Sequence, residues 1–271
     1  MFGDRFYFKL ALHRFVNEIW YGRNFWQYLL VPLACFYGAV VRARKMAYES
    51  GVLNVFRARV PVLVVGNVSV GGTGKTPLTI WLASKLTDFG FKPGIVCGGY
   101  RGRAKSWPQQ VRADSDNYVV GDEAIILAAN TSVPVVAGPD RGQSVKALLE
   151  KHDVDIVLCD DGMQHYALAR DIEIAVINGV RRLGNGKLLP AGPLRESGKR
   201  LAEVDMIVCN GIPARGEFAM KYKADELRKV GDTELTFPVK EFGEKHVHAV
   251  AGIGNPESFF SLLESLGFLL D

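Results

Sequence analysis

Short apolar runs and helical stretches alternate along the chain after Arg59. Each run is rich in β-branched residues, ends in Gly or Asp, and is followed by residues of helical periodicity. The runs are VPVLVVGN, KPGIVCGGY, VPVVAG, VDIVLCDDG, IEIAVINGV, VDMIVCNG and VHAVAGIG. Apolar strands separated by helices predict an α/β fold, with a mostly parallel sheet covered by helices on both faces. Ligands of such sheets bind at the carboxyl ends of the strands, where the polar motifs of this chain fall.

The N-terminal fifty residues have a different pattern. No residue from Asn24 to Val41 is charged, and Arg42, Arg44 and Lys45 follow at once. Polar residues, Pro and Gly interrupt the run, whereas a spanning helix needs roughly 20 apolar residues. The pattern therefore favours an amphipathic helix at a membrane surface, with aromatic rings at headgroup level and basic residues near anionic lipid. A buried core helix and a spanning helix are the alternatives.

Charge is distributed unevenly along the 271 residues. Lys and Arg total 33 against 29 Asp and Glu, and this net charge of +4 is too small to indicate a nucleic-acid partner. The basic excess belongs to the N-terminal region, which supports the membrane interpretation. Four widely spaced cysteines without a C-x-x-C pair indicate buried thiols in a reducing compartment rather than a zinc site.

The segment VPVLVVGNVSVGGTGKTPLTIWLASKL carries the strongest chemical signal. It predicts a strand, a glycine loop and a helix from Pro77, the order found in phosphate-binding P-loops. Glycines let backbone amides approach phosphate oxygens, the lysine reaches the β and γ phosphates, and the threonine hydroxyl ligates Mg²⁺. Ser69 departs from the pattern, because a glycine usually stands six residues before the lysine. The predicted ATP-binding residues are Ser69, Gly71, Gly72, Thr73, Gly74, Lys75 and Thr76.

Two acidic residues end the run VDIVLCDDG. Asp160 follows four apolar residues, the arrangement in which P-loop enzymes hold the magnesium of Mg-ATP. We therefore predict Thr76 and Asp160 as the Mg²⁺ ligands, with Asp161 making a further contact at the catalytic centre. Helix capping is the alternative for Asp161.

Longer motifs extend over most of the chain. They are IWYG at 19–22, VVGNVSVGGTGKTP, GDEA, VAGPDR, DDGMQHYALARD, GNGKLLPAGPLRE, NG at 210–211 and GIGNPESFF. On these motifs the chain closely resembles the tetraacyldisaccharide 4'-kinases, which act in lipid A biosynthesis in Gram-negative bacteria. DDG-x-QH and LLPAGPLRE are not features of P-loop proteins in general, so the resemblance is specific.

The resemblance implies an activity and a base. The γ-phosphoryl group of ATP would pass to the 4' hydroxyl of a tetraacylated glucosamine disaccharide that already bears a 1-phosphate. Asp122 in GDEA matches the catalytic aspartate of the family, and Glu123 is its supporting neighbour. A positioned carboxylate can take the proton of the sugar hydroxyl as the new bond forms. A helix N-cap is the alternative for Asp122.

Other polar residues of these motifs are candidates for supporting roles. His165 in DDGMQH is a candidate to orient an acidic neighbour or contact a phosphate, with a structural histidine as the alternative. Arginine forks match phosphate oxygens, so Arg101, Arg103 and Arg195 are predicted to bind the substrate phosphate or the transferred group. Asn210 ends the run VDMIVCN, where related P-loop folds contact the adenine.

The resemblance also implies a location and a domain organisation. Because family members carry an N-terminal amphipathic segment on the inner membrane, we predict a peripheral or monotopic protein on its cytoplasmic face, with no obligate protein partner. We predict a membrane segment over 1–50, a P-loop kinase domain over 51–240 and the start of a smaller α/β domain over 241–271. Family members continue beyond GIGNP with an Asp-His-His segment, so this last domain is expected to be incomplete. Ala124, commonly Pro in the family, and the loop GGYRGR also depart from the family pattern.

Two other functions fit a P-loop joined to an amphipathic anchor. A membrane-cycling ATPase switch would release phosphate to water, although that class usually carries a Lys at the position of Val70. A nucleotide-binding scaffold would bind ATP without turnover.

Overall fold

The computed structural model describes residues 2–22, 25–252 and 256–271 of the chain. The chain divides after Ala219 into two compact units, the second of which is Met220–Asp271. Three residues of the GIGNPESFF motif, 253–255, lie outside the described residues, as does Asn24 at the start of the uncharged run.

The first unit is built on an eight-stranded sheet in the order β3-β4-β2-β5-β1-β6-β7-β8. The strands of this sheet are β1 Val62–Gly66, β2 Pro93–Cys97, β3 Gln109–Val111, β4 Val135–Ala137, β5 Ile156–Asp160, β6 Ile172–Asn178, β7 Met206–Asn210 and β8 Phe218–Met220. The last residue of β8 is the first residue of the second unit. The six strands from β4 to β7 across the sheet run parallel to their neighbours, and β3 is antiparallel to β4. The prediction of a mostly parallel sheet is therefore confirmed.

The helices precede the sheet or connect its strands. They are α1 Phe2–Tyr21, α2 Trp26–Leu29, α3 Val31–Glu49, α4 Lys75–Asp88, α5 Asn117–Val120, α6 Asp122–Ala129 and α7 Arg141–Lys151. Helix α4 packs on β1, β2 and β5, α6 packs on β4, and α7 packs on β2 and β4. The helix after the phosphate loop begins at Lys75, two residues before the predicted start, because proline is tolerated in the first helical turn.

The central strands are apolar along their whole length because both of their faces are covered. Every residue of β1 and of β2 is buried. Alternating side chains of a strand point to opposite faces, so burial of all five excludes a solvent-facing side. Parallel strands also end at one edge, which brings the polar residues after β1, β2, β4, β5 and β7 to the same side of the sheet.

Sequence patterns missed the sheet edges and misjudged one strand. β3 and β8 have three residues each, too few for a periodic signal. Within 247–252, the described part of the run VHAVAGIG, only Val247 belongs to a strand, as the last residue of β11, His246–Val247. Val250 is 91% exposed, so this run does not form the buried strand that its apolar residues predicted.

The second unit contains its own small sheets. Strand β9, Glu226–Lys229, pairs antiparallel with β10, Asp232–Pro238, and β11 pairs parallel with β12, Leu269–Leu270. Helix α8, Pro256–Ser265, lies between β11 and β12 in the chain. β9 and β10 pair with each other rather than with the large sheet, in keeping with the division into compact units after Ala219.

The N-terminal helices belong to the first unit. Trp20 Nε1 donates to the Pro190 carbonyl over 3.0 Å, and Lys45 Nζ donates to Glu203 over 2.5 Å. Within α3, Ala34 alone is buried, so α3 is not the buried core helix given as an alternative. In the described ranges no helix is long and apolar enough to cross a membrane.

One face of α2 and α3 is apolar and exposed. Its side chains recur every three or four residues, which places them on one side of the helical path. We call this the apolar stripe, and each member is between 51% and 71% exposed: Leu29, Leu33, Phe36 and Val40.

Candidate active site at the carboxyl edge of the sheet

A glycine loop joins β1 to α4. Gly71 and Gly74 adopt φ angles of 116° and 104°, a region that disfavours side chains, so the loop needs glycine at both positions. The Asn67 amide donates to Thr73 Oγ1 over 3.2 Å and ties the two ends of the loop together. Gly71 and Gly72 are exposed, and a Cβ atom at either would meet nothing within 4 Å. This surface is open to a ligand.

The segment 193–196 is hydrogen-bonded to the backbone of the glycine loop. Val70 N donates to the Pro193 carbonyl over 2.8 Å, and Arg195 N donates to the Val68 carbonyl over 2.7 Å. Ser69 forms a β-bridge with Leu194 and is buried. The serine that departs from the P-loop pattern therefore lies where the loop meets this segment.

Asp160 ends β5 beneath the first turn of α4. It is 2% exposed, and its carboxylate accepts hydrogen bonds from Thr76 Oγ1 over 3.0 Å and Thr79 Oγ1 over 2.9 Å. Burial raises the pKa of Asp160 to about 6, although the two hydroxyls and the Lys75 ammonium oppose the shift. Because burial disfavours the charged form of this carboxyl group, a nearby cation would stabilise it.

Asp161 lies between two cations. Its φ is 50°, and its carboxylate is 3.5 Å from Lys75 Nζ and 3.1 Å from Arg195 Nη1. Burial raises the pKa of Asp161, but Lys75 and Arg195 outweigh it and the net shift is downward. No helix follows within the described residues 162–171, so the capping alternative for Asp161 is not what the structure has. Lys75, Asp161 and Arg195 form one charged cluster.

Glu196 extends this cluster, and sequence reasoning missed it. It is 4% exposed and accepts from Gln164 Nε2 over 2.6 Å and from the Tyr166 hydroxyl. The side-chain oxygen of Gln164, Oε1, in turn accepts from Arg195 Nη1 over 3.2 Å. The sequence held one signal for this contact: Gln164 and Tyr166 belong to the motif DDGMQHY, and Glu196 belongs to the motif GPLRE.

Arg141 is a second residue that sequence reasoning missed. It opens α7, is 4% exposed, and donates to the Gly138 carbonyl over 2.6 Å and the Asp160 carbonyl over 3.4 Å. Its buried Nε has no hydrogen-bond partner within the part of the chain that the structure describes. Its position directly after β4, in VAGPDR, was the signal. A buried cation thus lies under the acidic pair.

His165 and Asn210 lie at the same edge. Burial and, next, the Arg141 cation lower the pKa of His165 to about 4, so its ring is neutral at physiological pH. A neutral ring offers one donor and one acceptor instead of a positive charge for a phosphate. Asn210 Nδ2 donates to the Thr73 carbonyl over 3.2 Å and thereby ties β7 to the glycine loop.

Among the described residues, Asp122 and Glu123 make no hydrogen bond or ion pair with the charged cluster. Both are exposed in the first turn of α6, whose N-cap is Gly121 without a side-chain cap, so Asp122 does not cap this helix. Within the described residues the Asp122 carboxylate has no hydrogen-bond or ion-pair partner. A cavity of about 460 Å³ opens beside it, and its lining residues are Ser115, Asp116, Asn117, Asp122, Ile125 and Ile126.

Arg101 and Arg103 lie in the loop after β2. Arg101 has a φ of 65° and its guanidinium lies 5.4 Å from the centre of the Tyr100 ring. Arg103 Nη1 donates to the Tyr118 hydroxyl over 2.6 Å, and Arg103 N donates to the Tyr118 carbonyl over 2.9 Å. Among the described residues, neither arginine is bonded to Lys75, Asp161 or Arg195. The structure thus joins Arg195, but not the other two, to the phosphate loop.

Comparison with known proteins points to one family. The family model described as LpxK, tetraacyldisaccharide-1-P 4'-kinase, matches residues 26–271. The tetraacyldisaccharide 4'-kinase of Nitrosococcus oceani is 50% identical over 251 residues, which cover 93% of this chain and 74% of that protein. The enzyme of the same name from Aeromonas salmonicida is 47% identical over 257 residues, covering 94% and 76%.

A solved structure is similar as well. It is a crystal structure of LpxK from Aquifex aeolicus in complex with ATP, at 28% sequence identity and a TM-score of 0.74. The similarity covers 90% of this chain and 81% of that chain.

Proposed function

The chain belongs to the tetraacyldisaccharide 4'-kinase family and is a kinase of lipid A biosynthesis, and from this we propose how its residues divide the reaction. One half of the site holds ATP, and Asp122 receives the proton of the lipid hydroxyl. One contrast carries this proposal: Lys75, Asp161 and Arg195 are paired with one another, whereas the Asp122 carboxylate has no partner among the described residues.

ATP occupies the glycine loop. Its phosphates lie against the amides of residues 69–76 and the N-terminus of α4, where Lys75 places its charge near the β and γ phosphates. Asn210 is proposed to contact the adenine, since its bond to the Thr73 carbonyl places it beside the loop. The neutral ring of His165 supports hydrogen bonding to a neighbouring acid rather than charge neutralisation.

The residues present fit a magnesium ion. Mg²⁺ prefers hard oxygen ligands and uses one or two protein groups together with substrate phosphates and water. Asp160 offers a buried carboxylate whose two hydrogen-bond partners are hydroxyls, and one of these is Thr76. We propose that Thr76 and Asp160 hold the ion. When bound, it would neutralise charge on the phosphates.

The transfer step follows from this arrangement. The 4' oxygen of the sugar attacks the γ phosphorus in line, its proton passes to the Asp122 carboxylate, and the bond to the β-phosphate oxygen breaks to release ADP. Glu123 adds negative potential beside this base. Arg195, held against Asp161, stabilises the charge on the transferred group. Arg101 and Arg103 are proposed to bind the substrate's own phosphate.

The apolar stripe is proposed to meet the membrane that contains the lipid substrate. Exposed apolar side chains at helical spacing, near Arg42 and Arg44, are typical of a helix that lies in the interface. We propose peripheral or monotopic attachment to the cytoplasmic face of the inner membrane.

The experiment uses ATP labelled at the γ phosphate and the tetraacylated disaccharide 1-phosphate in mixed micelles. We expect the label in the lipid, and we expect Asp160→Asn to reduce its incorporation strongly. Label released only as inorganic phosphate would favour the ATPase switch. ATP binding without release of label would favour the scaffold.

A further inference from the structure

Helix α3 lies close to the segment that carries Arg195. A Cβ atom added at Gly38 would come within 2.6 Å of Cδ1 of Leu188, which forms a β-bridge with Leu194, so the absence of a side chain lets the helix approach. Tyr37, one residue earlier, is half-buried on this side of the helix. Phe36, the preceding residue, is 71% exposed and belongs to the apolar stripe. Adjacent residues of α3 therefore face solvent and the active-site segment.

The Tyr37 hydroxyl donates a hydrogen bond to the Arg195 carbonyl over 3.1 Å. On the other side, the Arg195 amide donates to the Val68 carbonyl of the phosphate loop over 2.7 Å. Burial raises the pKa of Tyr37, although the Arg195 cation opposes the shift, so the phenol remains a donor at neutral pH. Both backbone polar groups of Arg195 are thus fixed, one by the loop and one by α3.

The side chain of Arg195 depends on that backbone. A single terminal nitrogen, Nη1, contacts both carboxylate oxygens of Asp161, at 3.1 and 3.2 Å. This geometry tolerates little displacement, because hydrogen bonds weaken steeply as distance and angle depart from their optimum. We propose that Tyr37 is a positioning residue for the kinase reaction, which acts by fixing the peptide of Arg195. This rests on the proposed role of Arg195 in stabilising the transferred group.

The first test compares Tyr37→Phe with Tyr48→Phe. Tyr48 lies three turns later on α3, its ring is 6.2 Å from that of Tyr166, and its hydroxyl has no hydrogen-bond partner within the described residues. We expect Tyr37→Phe to lower kcat by roughly three- to tenfold, the effect of one hydrogen bond. KM for ATP, the thermal midpoint and partition into micelles should stay near wild-type values. Tyr48→Phe should match the wild type throughout.

A double-mutant cycle with Arg195→Ala separates positioning from a general structural effect. If Tyr37 acts through Arg195, adding Tyr37→Phe to Arg195→Ala should lower kcat no further. Independent, multiplicative losses would overturn the proposal, as would a wild-type kcat for Tyr37→Phe while Arg195→Ala is impaired. A wild-type kcat for Arg195→Ala alone would instead reject the role given to Arg195. A fall in kcat together with a lower thermal midpoint in Tyr37→Phe would assign Tyr37 a structural role and overturn the inference.

Discussion

Asp160 and Asp122 are both carboxylates beside the first turn of a helix, yet their surroundings are opposite. Asp160 is 2% exposed and accepts two hydroxyl hydrogen bonds, and its neighbour Asp161 lies between Lys75 and Arg195. Asp122 is exposed and, among the described residues, has no partner for its carboxylate. The carboxylates on the ATP side are already hydrogen-bonded or ion-paired with other residues of the protein, whereas the carboxylate of the proposed base is exposed and can accept a proton from a ligand.

This difference fits the two ligands. Phosphate groups require charges that are fixed before ATP arrives, since preorganised dipoles need no rearrangement during transfer. In the proposed function a large lipid reaches its site from a membrane, and both the apolar stripe on α2 and α3 and Asp122 are exposed. The nucleotide side is therefore preorganised, and the lipid side is completed by its substrate.

On the nucleotide side, a large effect is expected at Lys75. Lys75→Ala removes the cation of the phosphate loop and should lower turnover by about 10²–10³, the usual loss for one group that stabilises transition-state charge. Lys85→Ala is the matched control, because Lys85 lies on the same helix and pairs with Asp88 near the surface. Steady-state transfer of labelled phosphate measures both variants. Comparable rates for Lys75→Ala and wild type would show that the charged cluster on the nucleotide side does not stabilise the transferred group.

The next effect concerns the buried cation beneath the acidic pair. Arg141→Leu leaves the carbonyls of Gly138 and Asp160 without their buried donors and should lower the free energy of unfolding by about 2–4 kcal/mol. Arg112→Leu is the control, since Arg112 is exposed and pairs with Asp114 at the surface. Urea denaturation followed by circular dichroism measures both. A loss of unfolding free energy no greater than that of the control would show that Arg141 does not stabilise the nucleotide side of the site.

A smaller effect should appear at the apolar stripe. Phe36→Asp replaces a ring that is 71% exposed and should weaken partition onto anionic vesicles by roughly tenfold, which corresponds to one buried apolar side chain. Phe89→Asp is the control, because Phe89 is 78% exposed at the end of α4, outside the stripe. Vesicle co-sedimentation measures the partition. Equal losses for both variants would mean that the stripe has no special contact with lipid.

The smallest effect is expected at Glu123. Glu123→Gln removes one exposed charge from the first turn of α6 and should lower turnover only about two- to fivefold, in line with a charge near a helix terminus. The initial rate of lipid phosphorylation at saturating ATP is the measurement. A loss as large as that of Lys75→Ala would make Glu123 itself a candidate for the base.

The sequence could predict that Lys75, Thr76 and Asp160 meet at one edge of the sheet, because the glycine loop and the acidic pair each follow a buried strand. The β-branched runs and the GGTGKT loop placed Lys75, Thr76 and Asp160 at one edge through the geometry of parallel sheets alone. Contacts between segments that are distant in the sequence could not be predicted. Tyr37 and Arg195 are 158 positions apart, and the partners of Glu196 come from another strand's loop. No periodicity encodes such pairs.

Edges and units were also hard to predict. A three-residue strand such as β3 has no detectable period. The boundary after Ala219 depends on β9 pairing with β10 rather than with the large sheet, and that choice is made by three-dimensional packing.

The most direct test of the division between the two sides is the Asp122→Asn variant, in which ATP affinity and turnover are measured on one preparation. The substitution retains the shape of the side chain and removes its capacity to accept a proton. We expect turnover on the lipid disaccharide to fall by about 10²–10⁴, the range for a positioned acid–base group. The Kd for ATP should stay within about twofold of wild type because, in the part of the chain that the structure describes, Asp122 has no bond to the phosphate loop. Wild-type turnover, or a loss of ATP affinity equal to the loss of turnover, would contradict the account.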